Sequence, residues 1–183
     1  FTDAAGKVLV ERGALIQTHA PASSTQGGGY TLLLGHEVEN AGRLINPKGQ
    51  ATLAGGDTFY IRKGVGTAGN AYSTTRGNEV ATRLNAGSSA GTVINSGLIQ
   101  ASTGDITLTG HNVQQNGVAV ATSSVDTRGT VHLLNAFSDS TGSVTLGQGS
   151  ATAVLLDAAG GSALDSQRDA GPAGLDGTPN NLI

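Results

Sequence analysis

The sequence contains no cysteine, methionine or tryptophan, and three tyrosines and three phenylalanines make its aromatic content only 3%. Without cysteine the chain can form no disulfide framework, a condition that suits secreted and cytosolic proteins equally. No apolar run approaches the roughly 18 residues of a membrane helix, so no membrane span is predicted. The net charge of −3, from 10 basic and 13 acidic residues, argues against nonspecific nucleic-acid binding. The scarcity of aromatics disfavours a globular enzyme and favours a narrow interior of small and β-branched side chains.

Helix is predicted to be nearly absent. No segment sustains apolar residues at spacings of three and four without an interrupting glycine, and the 29 glycines would weaken any long helix by roughly 1 kcal/mol each. Apolar residues instead alternate with threonine or serine, as in Ile106-Thr107-Leu108-Thr109. That alternation is typical of short strands.

Glycines and apolar residues recur at an interval of 55 positions. The matching pairs are Gly42 and Gly97, Gly49 and Gly104, Gly55 and Gly110, Leu44 and Ile99, Thr52 and Thr107, and Leu53 and Leu108. More degenerate copies begin at Gly13 and Asn116, and a short copy spans 142–147. The chain is therefore a repeat protein.

Units this small cannot bury an apolar face alone, so the repeat predicts an all-β parallel β-helix, a solenoid in which equivalent strands stack. About six to eight rungs would make a rod on the order of 30 to 40 Å long. The glycines are expected to supply positive φ angles at its corners. The side chains expected to face inward are those of Leu44, Leu53, Ile99, Ile106, Leu108, Val131, Leu133, Val144 and Leu146.

One β-helix domain is predicted over residues 1–157, with a long excursion loop at about 62–91 and an irregular tail over 158–183. The tail has few large apolar residues to offset the entropy of ordering, so it is expected to be extended or disordered. The chain begins at Phe1, contains no methionine and has no evident cap at either end. These features predict an excised or processed fragment whose bare ends favour end-to-end self-association.

The excursion loop carries the predicted ligand-contact residues Arg62, Lys63, Arg76 and Arg83 against the single acid Glu79. These cations could form a basic patch for sulfated glycans, and the alternative is an ordinary solvated loop. The same loop contains a Gly-x-Gly-x-x-Gly pattern at 64–69. Because no convincing helix follows those glycines, a dinucleotide site is not predicted.

No metal site, cofactor or catalytic residue is predicted. His36 and His111 occupy equivalent repeat positions and could form a metal pair, yet no cysteine or carboxylate accompanies them at ligand spacing. The acids Asp57, Asp105, Asp126 and Asp139 are scattered among turns rather than paired as in glycoside hydrolases. Among them, Asp105 and Asp126 are the residues to test for an enzyme. The hydroxyls of Thr107 and Thr109 raise the further alternative of an ice-binding face.

Three phrases resemble the rungs of large Gram-negative exoproteins related to filamentous haemagglutinin. They are Val93-Ile94-Asn95-Ser96-Gly97-Leu98-Ile99-Gln100-Ala101, Gly104-Asp105-Ile106-Thr107-Leu108-Thr109-Gly110 and Val38-Glu39-Asn40-Ala41-Gly42-Arg43-Leu44-Ile45. The likeness covers about residues 8–150 and places the segment in or just after the amino-terminal secretion domain. The Asn-Pro-Asn-Gly-type signature of such a domain is absent from this sequence.

This resemblance implies a right-handed parallel β-helix and export through an outer-membrane β-barrel transporter by two-partner secretion. It implies location in the medium or at the bacterial surface, with roles in adhesion, biofilm or contact-dependent competition, and with surface glycans or proteins as partners. The sequence therefore predicts a structural and adhesive rod segment without catalysis. The alternatives are a self-assembling extracellular filament subunit and a carbohydrate-active β-helix enzyme.

Overall fold

The computed structural model describes residues 1–22, 28–63, 77–124 and 129–157. Within these ranges every regular element is a β-strand and no helix is present, so the predicted all-β class is confirmed. None of the described ranges holds a helix that could cross a membrane. The tail predicted over 158–183 lies outside the described residues.

Sixteen strands follow one another along the chain. They are β1 Lys7–Val10, β2 Leu15–Gln17, β3 Tyr30–Gly35, β4 Glu37–Asn40, β5 Arg43–Ile45, β6 Gln50–Gly55, β7 Thr58–Lys63, β8 Asn78–Arg83, β9 Thr92–Asn95, β10 Leu98–Ala101, β11 Asp105–Gly110, β12 Asn112–Gln115, β13 Val118–Ser123, β14 Thr130–Asn135, β15 Ser143–Leu146 and β16 Ala151–Leu156.

Three parallel sheets contain all of these strands except β7 and β8. Sheet A has the order β1-β4-β9-β12-β15, sheet B the order β2-β5-β10-β13-β16, and sheet C the order β3-β6-β11-β14. The chain visits A, B and C in turn and then returns to A beside the strand it left. Each such circuit contributes one strand to each sheet. The described residues therefore form about five circuits, fewer than the predicted six to eight. With strands about 4.8 Å apart, a stack of five is about 20 Å thick, shorter than the predicted 30 to 40 Å.

Apolar ladders of matching side chains run through the stacks. In sheet A, the register aligns Val8, Val38, Val93, Val113 and Val144. In sheet C, it aligns Leu33, Leu53, Leu108 and Leu133. Stacking like on like fills the interior at uniform width, so that small aliphatic side chains suffice for a close-packed core.

The 55-residue repeat corresponds to direct contact between neighbouring strands. Leu44 pairs with Ile99 and Leu53 with Leu108 in the parallel register. These four side chains and that of Ile106 are fully buried, whereas Val131 and Leu133 are partly buried against the same core. Val144 and Leu146 lie on the inward side of their strand, as predicted, but they are 38% and 59% exposed. They continue the inward ladders, but β15 is the outermost strand of sheet A and no described strand covers them.

A ladder of amides runs beside the valines in sheet A. The Asn40 Nδ2 donates to Asn95 Oδ1 at 2.8 Å, and the Asn95 Nδ2 donates to Gln115 Oε1 at 2.7 Å. All three side chains are fully buried. An unpaired buried amide costs about 1–3 kcal/mol, so each residue of this ladder requires the next one in register.

The prediction that glycines supply positive φ angles at the corners holds at Gly13 and Gly149 but not at the glycines of the 55-residue repeat. Gly49, Gly97 and Gly104 lack positive φ angles, which occur instead at residues such as Lys48 and Thr103. A Cβ atom on Gly104 would lie 2.2 Å from the carbonyl oxygen of Gly49, and one on Gly97 would lie 2.1 Å from that of Gly42. These glycines are required because neighbouring circuits approach too closely at the corners for any side chain.

The predicted excursion loop at 62–91 is corrected in part by the strands β7 and β8, which pair as an antiparallel hairpin. The departure from the sheets begins at Thr58, earlier than predicted, and ends at Gly91 before β9. The hairpin lies against the outer face of sheet C, so that every residue of β6 and β11 is buried. Thr107 and Thr109 are therefore covered, and their hydroxyls do not form an exposed array.

We predict that Gly104→Ala lowers the free energy of unfolding by about 1–3 kcal/mol, the usual cost of forcing an extra methyl group into a packed interior. The matched control is Gly6→Ala, because a Cβ atom there would meet nothing within 4 Å. Urea unfolding followed by circular dichroism measures both variants. Equal stability of the two variants would contradict the close-approach account of the corners.

Candidate functional site

The hairpin is fixed to sheet C by buried polar contacts. The Gln50 side chain accepts a hydrogen bond from the Asn78 amide at 2.8 Å and donates one to the Asn78 carbonyl oxygen. The fully buried Thr82 hydroxyl donates to the Gly55 carbonyl oxygen at 2.8 Å. Beside Thr82 in the register lies Phe59, which is 3% exposed. One face of the hairpin thus packs against sheet C, and the other face is exposed to solvent.

The exposed face of the hairpin carries a row of charged and aromatic side chains. Arg62 pairs with Glu79 across the two strands, with Nη2 and Oε2 separated by 2.6 Å. Farther along, the Arg83 guanidinium lies between two rings, 5.4 Å from the centroid of Tyr60 and 5.1 Å from that of Phe137. Both rings are more than half exposed. The guanidinium plane is held by cation–π contacts while its N–H groups remain available.

The four predicted ligand-contact residues do not form one basic patch in the described part of the chain. Arg62 is neutralised by Glu79, and Arg83 follows Glu79 by four strand positions, about 13 Å away. Lys63 pairs through its backbone with Asn78, and its side chain lies outside the described residues, as does the whole of Arg76. Of the four, Arg83 is the residue that the structure places beside a cavity.

That cavity is an open cleft of about 410 Å³ between the base of the hairpin and the turn that follows β14. Its lining includes Arg83, Ser88, His111, Phe137 and Asp139. The two walls are joined by a hydrogen bond from the Phe137 amide to the Thr82 carbonyl oxygen at 2.9 Å. A volume of this size lies within the usual range for small-ligand sites.

The floor of the cleft contains a histidine–aspartate pair. His111 Nδ1 lies 2.6 Å from Asp139 Oδ2, and the other oxygen of Asp139 accepts hydrogen bonds from the amides of Thr141 and Gly142 and from the Thr141 hydroxyl. The His111 hydrogen bond is the largest cause of a lowered pKa at Asp139, about 2 instead of 3.8, and the Thr141 amide is the next. The carboxylate is therefore ionised at neutral pH, and its negative charge is stabilised by the hydrogen bonds to both of its oxygens.

The pair alone does not make a nucleophilic triad. In the described ranges no serine or threonine hydroxyl is hydrogen-bonded to His111. The Ser88 hydroxyl accepts a bond from the Ala90 amide instead. The arrangement fits binding and orientation of a polar group better than activation of a hydroxyl.

Other acids and histidines that the sequence singled out are not assembled into a site. Asp105 is fully buried and binds the Thr130 hydroxyl at 2.5 Å, so it cannot reach a polysaccharide. Asp126 lies outside the described residues. His36 and His111 are separated by Gly91, which hydrogen-bonds to the backbone beside each. No cluster of three or more metal-ligating side chains occurs among the described residues.

Sequence reasoning found Arg83 but missed the other walls of the cleft. His111 was considered for its match to His36, and Asp139 only as a scattered acid. Phe137, His111 and Arg83 come from three separate segments, and their meeting depends on the hairpin folding back over sheet C. One sequence feature could have indicated the cleft. An aromatic residue and an acid follow directly after a repeat copy, in Phe137-Ser138-Asp139.

We predict that Asp139→Asn lowers the free energy of unfolding at pH 7 by about 1.5 kcal/mol, since a hydrogen bond to a charged group is lost. The sign of the pH dependence follows from a pKa lowered by folding. The stabilisation is present above the unfolded pKa of about 3.8 and is lost as the pH falls towards about 2. Glu11→Gln, at an exposed position, is the control. We expect the difference between the urea midpoints of wild type and Asp139→Asn to shrink as the pH falls from 7 to 2. A difference that stays constant over this range would contradict the predicted role of the carboxylate.

Comparison with known proteins found no similar protein. No protein-family model matches the chain, and no curated protein or solved structure matches it either. Its function is therefore argued from its own residues and their geometry.

Proposed function

We propose that the chain is part of a right-handed parallel β-helix that serves as a structural and adhesive rod segment of a large bacterial exoprotein, without catalysis. The observation that carries this proposal is the cyclic order of the three sheets with like residues in register over successive circuits. Such a stack has no inherent limit to its length, since each circuit offers the next a matching edge. A stack of circuits can act as a spacer, and insertions such as the hairpin can project from its side.

The proposal includes the location of the chain outside the bacterial cell. The repeat phrases resemble those of exoproteins related to filamentous haemagglutinin, which implies export through an outer-membrane β-barrel transporter and display at the surface of a Gram-negative bacterium. Circuit-by-circuit stacking supports this route, because a chain emerging from a pore can add one circuit at a time to the last. The laterally docked hairpin supports the adhesive role, since it interrupts an otherwise uniform surface.

A second candidate is a self-assembling filament subunit, favoured by the outer strands β15 and β16. Leu146, Leu155 and Leu156 on these strands are 59%, 53% and 86% exposed. In the described ranges no strand pairs with their outer edges. An apolar, unpaired edge is a template for another strand.

The rod architecture predicts that an extra circuit can be inserted without loss of folding. A second copy of residues 92–111, placed after His111, would add one more valine and one more asparagine to the ladders of sheet A. We expect a cooperative fold, a steeper urea dependence of unfolding and about 4.8 Å of added length. The control is an insert of the same composition in scrambled order, which we expect to lower stability. Equal outcomes for the two inserts would contradict the proposal.

Sedimentation of the wild type over a concentration series separates the two candidates. A monomer at all concentrations supports the rod segment. Growth into fibres that is abolished by Leu155→Glu supports the filament subunit.

The adhesive role is tested with beads coated with the purified chain and washed over Gram-negative and epithelial cell surfaces. We expect several-fold greater retention than for albumin-coated beads, and loss of that retention when soluble chain is added as a competitor. Retention no greater than that of albumin on either surface would contradict adhesion and leave a spacer role alone.

A further inference from the structure

We propose that the cleft beneath Arg83 binds a carboxylate-bearing sugar unit, a hexuronate of an acidic polysaccharide. Of the described residues, Arg83 is the one cation in this cleft, and no carboxylate pairs with it. Its neighbour on the hairpin face, Arg62, is by contrast already paired with Glu79. The proposal deepens the adhesive role proposed above and rests on it for its biological purpose.

The carboxylate would be recognised by the edge of the Arg83 guanidinium. Stacking between Tyr60 and Phe137 fixes the guanidinium plane and so lowers the entropy lost when a ligand binds. A guanidinium edge matches a carboxylate with two parallel N–H···O hydrogen bonds.

The negative charge of Asp139 is partly offset by the four hydrogen bonds that its oxygens accept. The donors are the His111 ring, the two amides of Thr141 and Gly142, and the Thr141 hydroxyl. The second ring nitrogen of His111, Nε2, has no partner in the described part of the chain. In the neutral tautomer with its proton on Nδ1, Nε2 is an acceptor for a sugar hydroxyl.

A sugar fits the rest of the cleft better than an acidic peptide does. The lining includes the amide of Asn85 and the hydroxyls of Ser88 and Ser138, which suit a ligand that carries several hydroxyls. The Phe137 ring, 59% exposed, supplies an apolar surface for one face of a pyranose ring. The cleft volume of about 410 Å³ accommodates a short saccharide rather than a folded partner.

The test compares two ligands that differ at one group, methyl glucuronide and methyl glucoside, by NMR titration of the purified chain. We expect the glucuronide to bind with a Kd on the order of 1 mM and to shift the resonances of the His111 ring and the Gly87 amide. We expect the glucoside to bind at least about tenfold more weakly. Equal binding of the two sugars, or shifts confined to residues outside the cleft, would overturn the proposal.

Arg83→Gln should weaken glucuronide binding at least about tenfold, whereas the matched control Arg62→Gln should leave it unchanged. Both positions lie on the exposed face of the hairpin, and circular dichroism confirms that each variant is folded. Undiminished binding by Arg83→Gln would overturn the proposal, as would the absence of glucuronide binding by wild type at about 10 mM. Binding of a hexaglutamate peptide but not of the glucuronide would replace it with an acidic-peptide site. None of these outcomes bears on the inserted circuit, so the rod architecture is judged separately.

Discussion

The parallel register between successive circuits is the constraint on which the other features depend. A slip of one residue would turn every inward side chain of a strand outward, and would break the amide ladder of Asn40, Asn95 and Gln115 as well as the valine ladder. A slip of two residues would keep the same side of the strand inward, and apolar stacking alone would tolerate it better, because one aliphatic side chain packs much like another. The amides would not, since each has its hydrogen-bonding partner in the neighbouring circuit and none is exposed. The ladder therefore adds specificity to a core whose stability comes from aliphatic burial.

The hairpin depends on this register and in turn changes the surface around it. Gln50 and Gly55 provide its attachment points at the two ends of β6, so they must lie where the stack places them. Once docked, the hairpin covers β6 and β11 of sheet C and brings Arg83 beside the turn that contains Phe137 and Asp139. The cleft is thus a consequence of an insertion that lies against the stacked strands, and no single circuit contains it.

The sequence predicted those parts of the fold that depend on short local patterns of glycine and apolar residues. Leu44 and Ile99 were identified as neighbours because glycines and apolar residues mark both copies at the same spacing. The role predicted for Gly49, Gly97 and Gly104 was wrong, since the sequence does not indicate whether a glycine is needed for its φ angle or for its missing side chain. The pairing of Phe59 with Thr82 was missed, because residues between them show no periodicity. The exposure of Leu146 follows from its place at the edge of a sheet, which the local pattern cannot indicate.

The residues of the core ladders are separate from those that line the cleft, where Asp139 alone is also predicted to stabilise the fold. The ladders use inward side chains only, and a substitution at Arg83 or Phe137 changes none of them. The exposed residues of the hairpin and of the turn after β14 can therefore vary in evolution at little cost to the core, whereas Gly104 or Asn95 cannot. This separation also explains how a chain with a net charge of −3 can favour an anionic ligand. Binding at the cleft depends on the local arrangement of an unpaired guanidinium and a carboxylate already saturated with donors, and the overall charge acts only through screened, distant groups.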